Sequence, residues 1–246
     1  LNSIKSLLSG SGKLKIMPSK NSVQNLRKHK IKSVKSFVRR SGRLTKSQKN
    51  ALQNHSSKYL LDINNSNTNL KTCFESDQHA LVIEIGFGDG AVLIESALKN
   101  PNKNFIGIEV YDSGLGQCLN EINKHKIKNI RLIYGDAVEV FEQFITKKSV
   151  EKINILFPDP WPKKRHHKRR LINKRFLALL SKSLINKGIV NVSTDWEDYA
   201  QQIELTFKES NQFKEIKSES RNLKTKFEKR GIKLGHKIFN YSYQLT

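Results

Sequence analysis

From Ala80 onward, short apolar runs alternate with longer amphipathic segments. Five runs have the length and the Ile and Val content of buried strands, and they cover residues 80–86, 104–110, 129–137, 152–160 and 187–195. The segments that follow these runs repeat their apolar residues at helical spacing, over residues 91–100, 113–126, 138–148, 170–184 and 196–210. Residues 238–245 alternate apolar and polar side chains, which indicates a late antiparallel strand.

This alternation of strand and helix predicts an α/β fold. The expected architecture is a doubly wound, mostly parallel Rossmann-like sheet with helices on both faces and a late antiparallel strand. A short helix is also predicted earlier, within residues 36–52. In such sheets, ligands bind beyond the carboxyl ends of the strands, where the strand order reverses. We therefore expect the functional residues at the carboxyl ends of the five runs.

The first strand–helix turn is rich in glycine, with Gly86, Gly88 and Gly90 in the segment EIGFGDGA. Glycines permit a sharp turn and a close approach of a ligand to the backbone, and such spacing occurs at both nicotinamide and S-adenosylmethionine sites. Glu84 and Asp89 flank the loop, where their charges would repel the pyrophosphate of a dinucleotide. A cationic ligand without phosphate suits these charges, so the loop favours S-adenosylmethionine as the cofactor.

Four successive strands each place a carboxylate at this edge of the predicted sheet. The four acids are Glu84, Glu109, Asp136 and Asp159. Glu109 stands where an acid can accept both ribose hydroxyl protons of a nucleoside. Asp136, in the segment GDA, is expected near the adenine edge. Four acids at the same edge of the sheet as a glycine loop indicate a binding site more strongly than a single acid does.

The segment FPDPWPKKRHHKRR joins a rigid acidic stretch to a basic run. Three of the five prolines in the chain flank Asp159 and Trp161, and each fixes φ and removes an N–H donor. A stiff segment suits a catalytic group that must be held in place. Six fixed cations follow directly, and they are Lys163, Lys164, Arg165, Lys168, Arg169 and Arg170. Cations beside a cofactor pocket predict contacts with several phosphates of a nucleic acid.

The charge of the whole chain supports a polyanionic partner. Its 246 residues carry a net charge of +23, which points to nucleic acid first and to an anionic membrane surface second. No Asp or Glu precedes Asp62. Residues 1–35 are therefore expected to form a basic, flexible extension, and residues 36–246 a single catalytic domain. A transit peptide has a similar composition, although Arg is absent before Arg27.

Cysteine and histidine usage predicts neither a metal site nor a disulfide framework. Cys73 and Cys118 have no metal-ligand spacing, and they fit a reducing cytoplasm. His166 and His167 are adjacent, so their side chains point apart in a helix or a strand. No apolar run approaches the 18 residues that a membrane span needs, and we expect no membrane partner.

Seven segments in one order along the chain resemble the bacterial tRNA (guanine-N7-)-methyltransferases. They are VRRSGRLTKSQ, EIGFGDG, GIEV, GDAVEV, FPDPWPKKRHHKRR, STDWEDYA and TKFEKRG. The resemblance covers about residues 36–246 and implies a class I methyltransferase fold, S-adenosylmethionine as methyl donor and tRNA as partner. It implies methylation of N7 of a guanine in the variable loop, in the cytoplasm, by a monomer or homodimer. His167 departs from the pattern, since relatives often have Asn there.

The resemblance also implies roles for individual residues. The implied cofactor contacts are Glu84, Glu109, Asp136 and Asp159, beside Gly86 and Gly88 of the glycine loop. The implied catalytic residue is Asp159. The implied substrate contacts are Lys163, Asp195, Thr225, Lys226, Phe227 and Glu228. The implied RNA-binding residues are Arg165, His166, His167, Lys168, Arg169 and Arg170.

The residues leave alternatives open at some positions. Asp195 also fits the N-cap of the helix that follows it, and Thr225 with Glu228 fits a capping box. Guanine N7 carries a lone pair and no proton, so we expect Asp159 to orient the base and stabilise its developing charge rather than act as a general base.

Three other functions compete with methylation of guanine N7. Methylation of another RNA base is the first, because the D-P-W segment is reminiscent of the motif of amino-group methylases. The second is a nicotinamide oxidoreductase, which the acidic glycine loop disfavours. The third is a non-enzymatic RNA-binding protein, which the intact set of four acids disfavours.

Overall fold

A computed structural model describes residues 35–37, 42–65, 70–218, 221 and 223–246. The expected basic extension, residues 1–35, lies outside the described residues except for Lys35. The described part of the chain forms one eight-stranded sheet flanked by seven α-helices. The strands are β1 (Leu60–Leu61), β2 (Ala80–Ile85), β3 (Lys103–Glu109), β4 (Ile130–Tyr134), β5 (Val150–Leu156), β6 (Leu184–Thr194), β7 (Phe213–Ile216) and β8 (Phe239–Leu245). The helices are α1 (Lys46–Tyr59), α2 (Ala91–Lys99), α3 (Asp112–Lys124), α4 (Ala137–Gln143), α5 (Lys174–Ser183), α6 (Glu197–Ser210) and α7 (Lys226–Lys233).

The strand order places a topological switch at the centre of the sheet. The order is β1-β4-β3-β2-β5-β6-β8-β7, and the first six strands of the chain pair in parallel. The chain winds one way from β2 through β3 to β4 and the other way from β5 to β6. The carboxyl ends of β2 and β5 therefore face the crevice where such folds bind ligands. β8 pairs antiparallel with both β6 and β7.

Helices cover both faces of the sheet, as the apolar spacing predicted. On one face, α1, α2 and α3 pack against the sheet through residues such as Ala51, Leu93 and Leu119. On the other face, α4, α5 and α6 pack through residues such as Val140, Phe176 and Ile203. β2, β3 and β5 contribute side chains that are buried along most of their length, which explains why these strands read as continuous apolar runs.

The predicted strands and helices from Ala80 to Ser210 are confirmed, and so is the late antiparallel strand. The expected early helix is longer than predicted, since α1 continues to Tyr59. It begins at a full capping box, in which Thr45 and Gln48 satisfy each other's backbone N–H groups. The sequence patterns missed β1, β7 and α7. β1 has two residues, and β7 reads FKEI with two charged side chains, so neither carries a periodic signal. No helix in the described ranges is both long and apolar enough to cross a membrane.

Candidate active site

A cleft of about 790 Å³ opens at the carboxyl edge of the sheet, at the switch between β2 and β5. Six of the residues that sequence analysis assigned to the site line it, and they are Gly86, Gly88, Glu109, Asp159, Lys226 and Phe227. Glycine-loop residues form one wall, the segment after β5 forms another, and the first turns of α3 and α7 complete it. The topology thus brings together residues that are up to 191 positions apart in the chain, from Ser36 to Phe227.

The glycine loop has a backbone that other residues would adopt only under strain. Gly86, Gly88 and Gly90 have φ values of 70°, 59° and 81°. A Cβ at Gly86 or Gly88 would meet no atom within 4 Å, so these two positions leave the cleft open to a ligand. A Cβ at Gly114 would collide with the carbonyl oxygen of Gly88, which explains a glycine in the first turn of α3.

Glu109 fixes the glycine loop to the end of β3. Its Oε2 accepts a hydrogen bond from the Gly88 N–H at 2.8 Å, and its Oε1 accepts from the Val110 and Tyr111 N–H groups at 2.7 and 3.1 Å. Burial raises the pKa of this carboxyl, while the three backbone donors oppose that shift. Oε2 keeps a second lone pair, so Glu109 can still accept a hydroxyl proton from a ligand in the cleft.

Asp136 lies beside the cleft but does not line it. Its Oδ1 accepts hydrogen bonds from the Val138 and Glu139 N–H groups, so it is the N-cap of α4. Its neighbours Gly135 and Ala137 line the cleft on either side. The cap fixes the first turn of α4 beside the cleft, because it satisfies the Val138 and Glu139 N–H groups.

Glu84 lies beneath the glycine loop and is almost completely buried, with 3% of its surface exposed. Its Oε2 has no hydrogen-bond partner among the described residues. Burial raises the pKa of Glu84 to about 8, the Arg221 guanidinium opposes this, and Asp89 and Glu109 add to it. A buried acid in this state favours the arrival of a cation nearby, because a cation would stabilise the ionised form.

Asp159 stands on a strained segment at the end of β5. It is exposed and lines the cleft. Phe157 and Trp161, which bracket the Pro-Asp-Pro sequence, have φ values of 55° and 47°. Left-handed backbone at non-glycine residues costs about 1–3 kcal/mol each and is typical of functional sites. The prolines and the two flanking residues together fix the direction in which Asp159 projects.

Trp161 holds a segment near the N-terminus against the cleft, a role that sequence analysis did not identify. Its Nε1–H donates to the Ser36 carbonyl oxygen at 2.9 Å, and the Arg169 guanidinium lies 5.0 Å from its ring and 3.4 Å from the Lys35 carbonyl oxygen. The side chain of Phe37 is buried, and Ser36 and Phe37 both line the cleft. Trp161 therefore supports the wall of the cleft that Ser36 and Phe37 help to form.

The basic run forms a 3₁₀ helix, Lys164–Arg169, whose cations face two ways. Lys163, Lys164, Arg165 and Lys168 are exposed, as phosphate contacts require. His166 is partly exposed and packs edge-on against Trp161, with ring centroids 5.7 Å apart. Slight desolvation and then the neighbouring cations lower the pKa of His166.

Arg170 was predicted to bind RNA as part of the basic run, but the structure contradicts this prediction. Only 2% of its surface is exposed, and its guanidinium donates to the Pro160 carbonyl oxygen at 2.8 Å, to Gln202 and to Asp198. It also lies over the ring of Tyr199. Arg170 therefore ties the proline segment to α6 and cannot reach a phosphate.

His167 turns towards the same cluster as Arg170. Its Nε2 lies 3.1 Å from Arg170 Nη2 and 3.7 Å from Asp198 Oδ2. The 3₁₀ helix thus directs its lysines and Arg165 outwards and this histidine inwards. The departure from the family pattern at His167 falls on a partly buried contact with α6.

Asp195 does not cap the helix that follows β6, so the N-cap alternative is wrong. The N-cap of α6 is Trp196, which makes no side-chain cap bond, and Asp195 Oδ2 instead lies 3.0 Å from His236 Nδ1. Both side chains are partly exposed at the carboxyl edge of the sheet. Asp195 and Lys163 lie outside the residues that line the cleft.

The segment TKFE begins α7 and only half of its predicted capping box forms. The Thr225 hydroxyl accepts from the Glu228 N–H at 3.0 Å, but the Glu228 carboxylate bonds Arg221 at 2.9 Å instead of the Thr225 N–H. Lys226 and Phe227 are exposed in the first turn and line the cleft, with 57% of Phe227 accessible. Arg221, which sequence analysis missed, has no motif of its own and is found only from its contacts.

S-adenosylmethionine fits the residues that are present. The cleft volume lies within the range of small-molecule sites, and two glycines leave it open. Glu109 and Asp89 line it and Glu84 lies beneath, while Lys226 is the one Lys or Arg among its described lining residues. These charges suit a cationic ligand without phosphate. No group of three or more metal-ligating side chains occurs in the described part of the chain.

Comparison with known proteins also indicates a methyltransferase. A model of the family described as "Putative methyltransferase" matches residues 78–241. The tRNA (guanine-N(7)-)-methyltransferase of Buchnera aphidicola subsp. Acyrthosiphon pisum (strain Tuc7) is 40% identical over 222 residues, which cover 87% of this chain and 92% of the relative. The enzyme of that name from Vibrio parahaemolyticus serotype O3:K6 (strain RIMD 2210633) is 42% identical over 223 residues, with coverage of 87% and 92%.

A solved structure described as "Structure of an antibiotic related Methyltransferase" shares the fold, with a TM-score of 0.50 and 19% identity. The structural similarity covers 68% of this chain and 88% of the chain in that solved structure. The chain therefore belongs to the tRNA (guanine-N7-)-methyltransferase family of class I methyltransferases.

Proposed function

We propose that this protein transfers a methyl group from S-adenosylmethionine to N7 of a guanine in the variable loop of tRNA. The observation that carries the proposal is the junction of two surfaces: a cleft lined by acids and glycines, and an exposed basic 3₁₀ helix that starts five residues after Asp159. The cleft suits a phosphate-free cation, and the helix suits a polynucleotide. Family membership supports both assignments.

The proposed cofactor site uses the residues of the glycine loop and the strand ends. Gly86 and Gly88 let the donor approach the backbone, and Glu109 Oε2 accepts a ribose hydroxyl proton while it holds the loop. Asp136 orients the α4 turn beside the adenine position, and Glu84 supplies negative charge from below. The bound donor supplies a methyl group on a sulfonium sulfur, which is already activated for transfer.

Asp159 is the proposed catalytic residue, and it acts by position and charge. Guanine N7 attacks through its in-plane lone pair, so no proton has to be removed from the reacting atom. Positive charge passes to the base as the bond forms, and a carboxylate held by a strained, proline-fixed segment stabilises that charge without reorganising. Phe227 is exposed in the cleft, where its ring can stack on the purine, and Lys226 lies beside it.

The remaining predicted contacts form the proposed tRNA surface. Lys163, Arg165, Lys168 and the partly exposed Arg169 follow Asp159 closely in the chain and would neutralise backbone phosphates, with the partly exposed His166 among them. Asp195 at the end of β6 would accept hydrogen bonds from guanine N1–H and N2–H. Thr225 and Glu228 act by shaping the first turn of α7. A tRNA substrate is consistent with action in the cytoplasm.

Methylation of unmodified tRNA, followed by mapping of the modified atom, tests this function. The purified protein should transfer labelled methyl groups to tRNA transcripts, and reductive strand cleavage should locate them at one variable-loop guanine. Asp159→Asn should lower kcat about 100-fold, since one electrostatic stabiliser is removed, and leave S-adenosylmethionine affinity within about threefold. Methyl groups on adenine N6, or near-normal turnover by Asp159→Asn, would contradict the proposal.

A further inference from the structure

Arg221 connects three elements directly beneath the cleft. Its Nη2 donates to Glu228 Oε2 of α7 at 2.9 Å and to Ser193 Oγ of β6 at 3.2 Å. Ser193 Oγ in turn donates to Asn240 Oδ1 of β8 at 2.7 Å. The guanidinium thus fastens α7 to the carboxyl end of β6, two residues before Asp195.

The positive charge of Arg221 also acts on Glu84 of β2, although the described residues show no ion pair between these two side chains. The positive charge of Arg221 is the leading influence that opposes the effect of burial on Glu84. Within the described ranges, Arg221 Nη1 and Glu84 Oε2 are both buried atoms without a hydrogen-bond partner. Leaving such groups unsatisfied is unfavourable, and natural proteins retain them at functional sites. One cation therefore serves two buried acids, Glu84 under the glycine loop and Glu228 in α7.

Helix α7 depends on this contact for its position. Lys226 and Phe227 project into the cleft and are exposed, so their own burial does not hold the first turn. Glu228 and Gly231 are the buried residues of the helix, and Glu228 is anchored by Arg221. A Cβ at Gly231 would lie 2.9 Å from Asp195 Oδ2, which places the other end of the helix against the predicted guanine contact.

We propose that Arg221 is a positioning residue of the methyl-transfer site, which sets α7 over the cleft through its contacts with Glu228 and Ser193. The proposal rests on the proposed function and adds a residue to it. Lysine would not suffice, because its flexible ammonium lacks the rigid, planar guanidinium that holds Nη2 against both Glu228 and Ser193. Glu228 then acts through Arg221 and is not itself a contact of the substrate.

The test compares Arg221→Met with Arg131→Met, a control for the loss of a partly buried arginine far from the cleft. Arg131 lies near the start of β4, donates to the Lys128 and Ile130 carbonyl oxygens and stacks on Phe74. Arg221→Met should lower kcat for tRNA about 100-fold through displacement of α7, and weaken S-adenosylmethionine binding about tenfold through Glu84. Arg131→Met should change both by less than about twofold.

Two further readouts separate positioning from a loss of folding. The pH at which S-adenosylmethionine binding tightens should move upwards in Arg221→Met, because Asp89 and Glu109 then face Glu84 without the opposing cation. The double variant Arg221→Met/Glu228→Gln should be no slower than Arg221→Met alone, since it removes the stranded carboxylate. Arg221→Lys, which keeps a cation, should recover binding but not kcat.

The outcomes separate this inference from the proposed function. Wild-type protein that fails to methylate guanine N7 overturns the function. Active wild-type protein together with a folded Arg221→Met variant of unchanged kcat overturns the role of Arg221 alone. If Arg221→Met unfolds below the assay temperature, Arg221→Lys decides: wild-type kcat in that variant also overturns the role.

Discussion

At the scale of single residues, the acids of the site differ in their surroundings and hence in their chemistry. Asp159 is exposed on a fixed turn, Glu109 is buried but satisfied by three backbone N–H groups, and Glu84 is buried with one oxygen unsatisfied. Burial raises the pKa of Glu84 to about 8. A carboxyl with this pKa changes charge within the working pH range, whereas an exposed one does not.

Glu84 should make cofactor binding depend on pH. Its pKa is raised in the folded protein, so a cationic ligand that favours the ionised form should bind roughly tenfold more tightly at pH 8.5 than at pH 6.5. Calorimetry with S-adenosylmethionine at both pH values measures this ratio. Glu84→Gln controls for titration of the ligand amine, and an identical pH dependence in that variant would exclude Glu84 as the cause.

The same shift predicts a change in stability. An acid with a raised pKa contributes stability that is fully present below the unfolded value of 4.5 and is lost as the pH rises through about 8. Glu84→Gln should therefore unfold at a higher temperature than wild type at pH 8.5, by an amount that corresponds to a few kcal/mol, and the difference should shrink at pH 5. Thermal unfolding of the ligand-free proteins gives both values.

At the scale of elements, the segment after β5 has two tasks. Its prolines and its two residues with positive φ direct Asp159 towards the cleft, while Trp161 and Arg169 secure residues 35–37 across one wall. Arg170 ties the same segment to α6 from behind. The cleft is therefore built from distant parts of the chain that meet on one rigid turn.

Trp161→Phe should loosen the wall without removing the aromatic ring. The variant loses the Nε1–H bond to the Ser36 carbonyl oxygen, about 1 kcal/mol, and keeps a ring for Arg169 to stack on. S-adenosylmethionine should dissociate about fivefold faster, as measured by stopped-flow fluorescence. Trp196→Phe, at the exposed tryptophan that precedes α6, is the matched control, and equal rates in the two variants would refute the role of Trp161.

At the scale of the whole molecule, charge is divided by sign at one edge of the sheet. The chain carries a net charge of +23, yet the cleft is lined by acids and a single lysine among its described residues. A positive exterior attracts and orients a polyanion, while the acidic cleft admits a small cation. Adjacent surfaces of opposite sign thus sort the two substrates to their places.

This division predicts opposite behaviour for two neighbouring cations of the basic run. Lys168 is exposed, so Lys168→Met should reduce the slope of log affinity for tRNA against log salt by roughly 0.7–0.9. Arg170 is buried and bonded to α6, so Arg170→Met should leave the slope unchanged and destabilise the fold by about 2–4 kcal/mol. Filter binding over a salt series measures the slope for each variant, and thermal unfolding measures the loss of stability in Arg170→Met. A reduced slope for Arg170→Met would show that Arg170 does contact RNA.

Local pattern was enough to predict the sheet, its flanking helices and the strand ends that carry Glu84, Glu109 and Asp159, because hydrophobic periodicity and glycine spacing are properties of neighbouring residues. Only the tertiary structure decided that Arg170 faces inwards, that Trp161 holds Ser36, that Asp195 pairs with His236, and that Arg221 joins Glu228 beneath the cleft. Each of these contacts links residues that are at least seven positions apart in the chain. The direction of a long polar side chain depends on which buried partner lies within its reach, and local sequence pattern does not contain that information.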